Sequence, residues 1–289
     1  MSKWSGRTKG FALGYQIFIL FIKKFGVRAA YFLLYFVVPC YFIFLPKARR
    51  NLYSTFRSIP NFNESKIRYT VYKNFTTLGR VLIDNLSILT KHSVKYSYSQ
   101  IGEKYLIDLI NNSQASILIS AHLGSWNIAG ELLKKQNGAV NVVMFDGEAK
   151  KIKKLIKRNV GESNYKIIAV KNDFSHLIKI KKAVDNGELI CIHADRYIEG
   201  AKTITTKIFG KEVFLPSGPF EIASKLNIPY TFVFAIKESI FHYQFSATKP
   251  QLSISPQVIA DDFANILSKK LSLYPEQWFN YFNIFDNKK

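Results

Sequence analysis

Two kinds of hydrophobic pattern follow one another along the chain. Residues 47–112 show apolar positions at the spacing of amphipathic helices, one around Leu52 and Phe56 and a longer one from Tyr69 to Leu89. From residue 115 onward, short β-branched runs alternate with helical stretches, which is typical of βα units in a mainly parallel sheet. We therefore predict an α/β fold, a single domain with a central mixed, mainly parallel sheet flanked by helices, plus an N-terminal membrane-associated helical segment.

The predicted elements of the second part have ordinary lengths. The strands are 115–119, 140–145, 165–170, 188–194, 229–236 and 241–247, and the helices are 125–133, 149–160, 174–185, 220–226 and 258–273. Ser125 is a suitable N-cap for the first of these helices. Pro219 is well placed to begin the helix at 220, because its fixed φ suits a first helical turn.

The first 46 residues combine apolar runs with basic residues. Phe11 to Ile22 is apolar, two lysines follow, and residues 29–46 contain no charged side chain. This length reaches the lower limit for spanning a bilayer, while Pro39 and several tyrosines favour the interface. We expect residues 1–46 to be retained, with their basic flanks on the cytoplasmic side, as helices that insert shallowly into a membrane or span it once. The alternative for residues 1–46 is a buried helical hairpin. In either case we expect residues 47–289 to form the α/β domain.

Composition adds a strong positive charge to this picture. The chain has 41 Lys plus Arg against 20 Asp plus Glu, a net charge of +21, and 15% of its residues are aromatic. Such a surface attracts anionic membrane lipids, an acidic carrier protein or nucleic acid. No nucleic-acid recognition motif accompanies the charge, so we expect no nucleic-acid partner. Cys40 and Cys191 lie far apart without metal-ligand spacing, which favours buried free thiols in a reducing compartment.

The predicted helix at 149–160 carries a dense basic run. Six of the nine residues from Lys150 to Arg158 are cationic, and they repel one another unless an anion is near. This run is either a solvated face or a docking surface for an acidic acyl-carrier protein or for anionic headgroups.

A polar stretch follows the predicted strand at 115–119. It reads Ser-Ala-His-Leu-Gly-Ser-Trp-Asn over residues 120–127, so His122 lies at a strand-to-helix corner. Open α/β folds bind ligands outside the carboxyl ends of their strands, and Gly124 lets another group approach the backbone closely. Imidazole accepts a proton from a hydroxyl near neutral pH when a neighbour holds its other nitrogen. His122 is therefore the candidate general base, and a satisfied histidine at a strand end is the alternative.

This stretch resembles the histidine motif of the lysophospholipid acyltransferase superfamily, in particular its lipid A biosynthesis (lauroyl/myristoyl) acyltransferase branch. That branch carries His-Phe-Gly-Asn-Trp-Glu, and residues 122–127 read His-Leu-Gly-Ser-Trp-Asn. Asn127 thus replaces the carboxylate of the motif. An amide can orient an imidazole ring by accepting its N–H, but it adds no negative charge. Glu131, four residues further on, would contribute only indirectly or through water.

Further blocks similar to the same branch follow in order. They are Asp195-Arg196, Gly200, Ile208-Phe209-Gly210, Leu215-Pro216-Ser217-Gly218-Pro219 and the Pro-Glu-Gln-Trp block within 274–282. Asp195-Arg196 ends a predicted strand, which places the pair at the same edge of the sheet as His122. Arg196 offers a permanently charged planar fork suited to phosphate or to a developing oxyanion, and an ion pair with Asp195 is the alternative. His193 is a second candidate base or, alternatively, a half-buried strand histidine.

The resemblance implies a membrane-associated acyltransferase at the cytoplasmic face of a bacterial inner membrane. It would move a fatty acyl chain from a thioester of acyl-carrier protein or coenzyme A to a hydroxyl of a lipid acceptor, such as a lipid A precursor or a related glycolipid. His122 would remove the hydroxyl proton, Asn127 would orient the ring, and Arg196 would steady the donor or the oxyanion. The residues implied to bind substrate are Gly124, Ser125, Trp126, Asp195, Phe209, Gly210 and Gly218.

Two further expectations accompany this reading. The reaction needs no metal and no other cofactor. The alternative function is that of a pseudoenzyme, which binds lipid or acyl-carrier protein without turnover because Asn127 replaces the carboxylate.

Overall fold

The computed structural model describes residues 12–90, 94–125, 138–147, 165–171 and 173–285. The strands in these ranges are β1 (Ser97–Ile101), β2 (Ser116–Ser120), β3 (Val140–Phe145), β4 (Lys166–Val170), β5 (Leu189–His193), β6 (Thr203–Ile208), β7 (Lys211–Pro216), β8 (Tyr230–Ser239) and β9 (His242–Ala247). The helices are α1 (Ala12–Phe44), α2 (Pro46–Phe56), α3 (Glu64–Leu89), α4 (Glu103–Asn111), α5 (Ser175–Asp185), α6 (Gly218–Lys225) and α7 (Pro256–Leu273), and a 3₁₀ turn spans Pro275–Gln277.

Seven strands form one sheet in the order β1-β9-β8-β2-β5-β3-β4. All neighbours pair in parallel except β8 and β9, which form an antiparallel hairpin. Strands β6 and β7 form a separate antiparallel hairpin. The predicted α/β class with a mixed, mainly parallel sheet is confirmed.

Strand β2 lies in the middle of the sheet and is covered on both faces. Ile117 and Ile119 face one apolar cluster, which includes Phe220 of α6 and Phe263 of α7. Leu118 faces a second cluster, which includes Leu106 of α4. Burial on both faces explains why this strand reads as a continuous apolar run instead of alternating with polar residues.

The register of β2 with its neighbour β5 places the two strand ends side by side. Ser120 is opposite His193, and the N–H of Ala194 donates to the carbonyl of Ser120 at 2.8 Å, so the pairing continues beyond the strand ends. His122 and Asp195 each lie two residues beyond this pair, so they are neighbours at the carboxyl edge of the sheet.

Helix α1 bends at Gly26, whose φ of 81° lies in the left-handed region. One stripe of α1 is buried against α3 and its neighbours, and its members are Ile22, Val27, Ala30, Leu34 and Val38. A Cβ added to Gly79 of α3 would lie 2.8 Å from the Leu34 side chain, so a glycine there lets the two helices approach closely. The opposite stripe of α1 exposes large apolar side chains, among them Phe32, Tyr35, Phe36, Ile43 and Phe44.

The structure corrects one prediction and adds one element. Residues 97–101 are predicted as part of a helical region, but they form β1, because the polar and aromatic side chains around Tyr96 and Tyr98 alternate with a period of two and the backbone pairs with β9. The hairpin of β6 and β7 is absent from the predicted elements. It closes with a two-residue turn in which Phe209 and Gly210 have φ of 52° and 74°, as in a type I′ hairpin turn.

Candidate active site

The centre of the site is a contact between His122 and Asp195. Nδ1 of His122 lies 2.7 Å from Oδ1 of Asp195, and the backbone N–H of His122 donates to Oδ2 of the same carboxylate at 3.0 Å. The Asp195 side chain is completely buried, whereas the His122 side chain keeps 17% of its surface exposed. A carboxylate on Nδ1 favours the imidazole tautomer in which Nε2 carries the lone pair. His122 is thus oriented through Nδ1, and its side chain is partly exposed.

A third donor completes the surroundings of Asp195. The indole N–H of Trp278 donates to Oδ2 at 2.9 Å, and the amide of Asn280 donates to the backbone carbonyl of Asp195 at 3.2 Å. Burial opposes ionisation of Asp195, but the charge of His122, its hydrogen bond and nearby Arg196 outweigh this effect and hold the pKa of Asp195 well below its usual range. Asp195 is therefore a carboxylate at neutral pH.

His193 lies on the other side of the His122 ring. Its Nδ1 is 3.4 Å from Nε2 of His122, and the two ring centroids are 4.4 Å apart at an interplanar angle of 64°. Burial lowers the pKa of His193 to about 3, helped by the charges of His122 and Arg196 and opposed by that of Asp195. His193 is consequently neutral at physiological pH. It is a half-buried strand histidine, and it also contacts the candidate base His122.

The C-terminal segment holds the corner from the opposite side. The N–H of Phe279 donates to the carbonyl of His122 at 2.8 Å, and the N–H of Gly124 donates to the carbonyl of Gln277 at 3.0 Å. Leu123 and Trp278 form an antiparallel bridge between these two bonds. This pairing brings the indole of Trp278 onto Asp195 and fixes the backbone on both sides of His122.

Gln277 ties the same segment to the sheet. Its side-chain amide donates to the carbonyl of Lys237 and accepts from the N–H of Lys237, each at 2.8 Å. Gln277 is buried, so both polar ends of its amide are satisfied by one residue of β8.

Arg196 is anchored next to the same segment. One guanidinium nitrogen donates to the carbonyl of Phe279, and the guanidinium lies 5.9 Å from the centroid of the Phe282 ring. Because the N–H of Phe279 also donates to the carbonyl of His122, Phe279 links the Arg196 guanidinium to the backbone of His122.

Gly124 and Ser125, both predicted to bind substrate, pack into the protein. Gly124 has a φ of 75°, and a Cβ there would lie 2.0 Å from the carbonyl oxygen of Ala235, so the group that approaches its backbone is β8. Ser125 is buried, its N–H donates to the carbonyl of Ala235 at 2.8 Å, and its hydroxyl donates to the Asn85 side chain at 2.8 Å. In the structure these two residues join the corner to β8 and α3.

The later glycine and aromatic positions lie in neighbouring elements. Phe209 and Gly210 form the turn of the β6–β7 hairpin, where the partly buried Phe209 ring packs against the cluster of β2 and against that of α1 and α3. Gly218 is the first residue of α6. Phe209 thus ties the hairpin to the core, whereas Gly218 begins α6.

Several predictions fall outside the described residues. They concern Trp126, Asn127 and Glu131, together with the helices at 125–133 and 149–160 and the basic run that the second helix contains. Within the described ranges, no group of three or more His, Cys, Asp or Glu side chains is arranged to hold a metal ion.

Sequence reasoning underestimated two residues of the site. Asp195 was expected to bind substrate or to pair with Arg196, yet it makes the ring-orienting contact that the motif assigned to position 127. Trp278 was recognised as part of a C-terminal block without a role. The only signal for Asp195 was its place at a strand end, because the order of the strands, which makes it a neighbour of His122, is not written in the local sequence.

Comparisons with known proteins add the following. The family model described as "Bacterial lipid A biosynthesis acyltransferase" matches residues 11–285. No curated protein sequence matches the chain. Among solved structures, the 1-acyl-sn-glycerophosphate (LPA) acyltransferase PlsC from Thermotoga maritima aligns with 93% of this chain and 98% of its own, at 13% identity and a TM-score of 0.39.

Proposed function

Since the chain belongs to the family of bacterial lipid A biosynthesis acyltransferases, we propose that it transfers a fatty acyl chain from an acyl thioester to a hydroxyl of a membrane lipid, with His122 as general base. The observation that supports this most is the contact between Nδ1 of His122 and the buried carboxylate of Asp195 at 2.7 Å. Deprotonation of an attacking hydroxyl requires a base that is oriented by a carboxylate, and the partly exposed His122 side chain meets this requirement.

The reaction assigns one task to each group. The acceptor hydroxyl attacks the thioester carbonyl carbon while its proton moves to Nε2 of His122. Asp195 accepts the Nδ1–H throughout and stabilises the imidazolium. Collapse of the tetrahedral intermediate breaks the C–S bond, and the departing thiolate takes the proton from Nε2. We assign Arg196 to the negative charge that develops on the carbonyl oxygen, because its guanidinium is permanently charged and is anchored beside the corner through Phe279.

Asp195 bears directly on the pseudoenzyme alternative. That alternative rests on Asn127, which occupies the carboxylate position of the motif. Asp195 supplies a carboxylate to the same ring from the neighbouring strand. Orientation and charge stabilisation of His122 are thus both available without an acid at position 127.

We further propose that the protein works on the cytoplasmic face of a bacterial inner membrane, with α1 lying in the interface. Among the described residues, one helix, Gly14–Phe44, is long and apolar enough to cross a membrane. One of its stripes is packed on α3, whose surface carries cations such as Arg68 and Lys73, so full insertion of α1 would draw these charges toward the lipid tails. Shallow insertion of the exposed stripe avoids that cost.

The net charge of the chain and its family favour particular classes of acyl donor and lipid acceptor. An acyl-carrier protein is acidic, so a chain with a net charge of +21 attracts it, and coenzyme A thioesters are the other donor class. A lipid A precursor or a related glycolipid is the acceptor class that fits the family. The reaction as written requires no cofactor.

The proposal is tested by transfer of a labelled acyl chain from acyl-carrier protein or coenzyme A to a panel of lipid acceptors in vesicles. We expect the wild-type chain to transfer label, His122→Ala to lose it, and Asp195→Asn to lower kcat by roughly 100-fold to 10,000-fold, since an amide favours the wrong tautomer. Asn127→Ala is the matched comparison and should lower kcat far less than Asp195→Asn.

Other outcomes would contradict the proposal at distinct points. Full activity of His122→Ala would exclude it as the base. A larger loss in Asn127→Ala than in Asp195→Asn would return the orienting role to residue 127. Absence of transfer by the wild-type chain to every acceptor, with the donor still bound, would favour a binding protein without turnover.

A further inference from the structure

The N-terminal tip of α5 is an exposed apolar corner. Phe174, Leu177 and Ile178 are 68%, 43% and 74% exposed. They occupy positions i, i+3 and i+4, so they form one patch on the outer face of the helix. The inner face of α5 is buried against the sheet through Ile180 and Ala183. Three adjoining large apolar side chains in water are costly, and such patches usually mark a contact surface.

Cations surround this corner and continue along the helix. Lys181 and Lys182 extend the outward stripe by about one turn beyond Ile178, and Lys171 and Lys179 flank it, all of them exposed. Two exposed acids lie among them, Asp173 beside Phe174 and Asp185 in a salt bridge with Lys181, so the described lysines outnumber the acids four to two. A helix with an apolar tip and lysines one turn behind it matches the depth profile of a bilayer interface. The tip reaches the acyl chains while the ammonium groups remain at the level of anionic headgroups.

The position of the corner in the fold favours the same partner. Strand β4 runs parallel to β3, which runs parallel to β5, and α5 follows β4. The tip of α5 therefore lies at the carboxyl edge of the sheet, the edge that carries His122. Three strand spacings separate β2 from β4, which corresponds to about 14 Å.

The exposed stripe of α1 lies on the other side of the site. The hydroxyl oxygen of Tyr31 of α1 lies 3.2 Å from the carbonyl oxygen of Ile240, which is in the turn between β8 and β9 at the same edge, and Ile240 itself is 53% exposed. The candidate base is thus flanked by α1 and Ile240 on one side and by the α5 tip on the other.

We infer that Phe174, Leu177 and Ile178 form a second membrane contact, which inserts into an anionic bilayer and turns the edge bearing His122 toward the lipid surface. This contact goes beyond the acyl transfer proposed above and does not depend on it, because insertion requires no turnover.

The direct test is a polarity-sensitive dye on a cysteine at the tip. Cys40 is exposed, so the prediction of a buried thiol is wrong at this position, and it is replaced by Cys40→Ser. Burial raises the pKa of the Cys191 thiol to about 12, so this thiol reacts slowly near neutral pH. The full chain labelled at Ile178→Cys is mixed with vesicles of phosphatidylglycerol and phosphatidylcholine. We expect a blue shift of the dye emission and quenching by lipids brominated near the headgroup.

A matched control is available on the opposite edge of the sheet. Leu252 and Ile254 are 60% and 84% exposed and follow Gln251, which pairs with Tyr230 at the amino end of β8. A dye at Ile254→Cys should keep its aqueous emission. Leu177→Ser/Ile178→Ser should weaken partitioning into these vesicles by about tenfold, and Leu252→Ser/Ile254→Ser by less than about twofold.

Two results would overturn the inference. One is an aqueous emission of the dye at residue 178 while the chain is bound to vesicles, which would mean that α1 alone makes the contact. The other is a blue shift with an acidic acyl-carrier protein in the absence of vesicles and none with vesicles, which would make the corner a protein-binding surface. Either result leaves acyl transfer unaffected, so it is distinguishable from failure of the proposed reaction.

Discussion

At the scale of single residues, His193 connects the site to the pH dependence of stability. Its pKa is lowered from 6.5 to about 3 in the folded chain, so between these values the unfolded chain binds the extra proton. Stability should therefore fall as the pH decreases from about 6.5 toward 3, by up to about 1.4 kcal/mol per pH unit from this residue. Urea unfolding of the wild type and of His193→Gln between pH 4.5 and 7 measures this pH dependence. The free energy of unfolding of the variant should change less steeply with pH. Equal slopes would contradict the assignment.

Two glycines with similar backbone angles make a second comparison at this scale. Gly124 and Gly210 have φ of 75° and 74°, but a Cβ at Gly124 would lie 2.0 Å from the Ala235 carbonyl oxygen, whereas a Cβ at Gly210 has no neighbour within 4 Å. Gly210→Ala should cost about 1 kcal/mol of backbone strain. Gly124→Ala should cost several times more or prevent folding, because β8 must move.

The measurement is the free energy of unfolding in urea, or the soluble yield where a variant does not fold. A cost at Gly124 no larger than that at Gly210 would show that the close contact with β8 can relax.

At the scale of elements, a buried polar cluster attaches α1 to the sheet. Asp84 of α3 accepts hydrogen bonds from Tyr31 of α1, Tyr96 and Tyr243 of β9, and it pairs with Lys237 of β8 at 2.6 Å. The Asp84 side chain is completely buried. Buried charges that are fully paired tie their elements to one arrangement, because any separation leaves an unpaired charge.

Removal of one hydroxyl tests this attachment. Tyr31→Phe should lower the free energy of unfolding in mild detergent by about 1.5–3 kcal/mol, the usual contribution of a hydrogen bond to a charged group. Tyr35→Phe is the matched control on the same helix, since Tyr35 is 66% exposed, and its effect should stay within about 0.5 kcal/mol. Equal effects of the two substitutions would mean that the cluster does not hold α1.

At the scale of the whole molecule, charge and apolar surface act together. The net charge of +21 should draw the chain to anionic vesicles in a salt-dependent manner, and the exposed stripe of α1 should retain it there. We expect binding to phosphatidylglycerol-containing vesicles to fall about tenfold between roughly 0.05 M and 0.5 M salt without vanishing. Vesicle sedimentation measures it, with phosphatidylcholine vesicles as the control that should show little salt dependence. Complete release at high salt would mean that no apolar insertion occurs.

Local patterns were sufficient for most elements of the fold. The predicted strand at 140–145 is observed within the same bounds, and the predicted helix at 258–273 begins two residues earlier at Pro256. Strand β1 is not evident from the sequence because Ser97–Ile101 is mostly polar and contains a single β-branched residue, Ile101, in place of a β-branched apolar run. The β6–β7 hairpin was missed because its turn places Phe209, a residue without turn preference, at a positive φ.

The sequence by itself determined the α/β class and the candidate base, because hydrophobic period and strand ends are local properties of the chain. It also placed both His122 and Asp195 at carboxyl ends of strands. Only the tertiary structure decided that β2 and β5 are neighbours in register, which makes Asp195 the carboxylate partner of His122. The same holds for Trp278, whose indole reaches Asp195 from 83 residues away. Strand order and such long-range contacts depend on how the elements pack together, and this packing is a property of the whole chain.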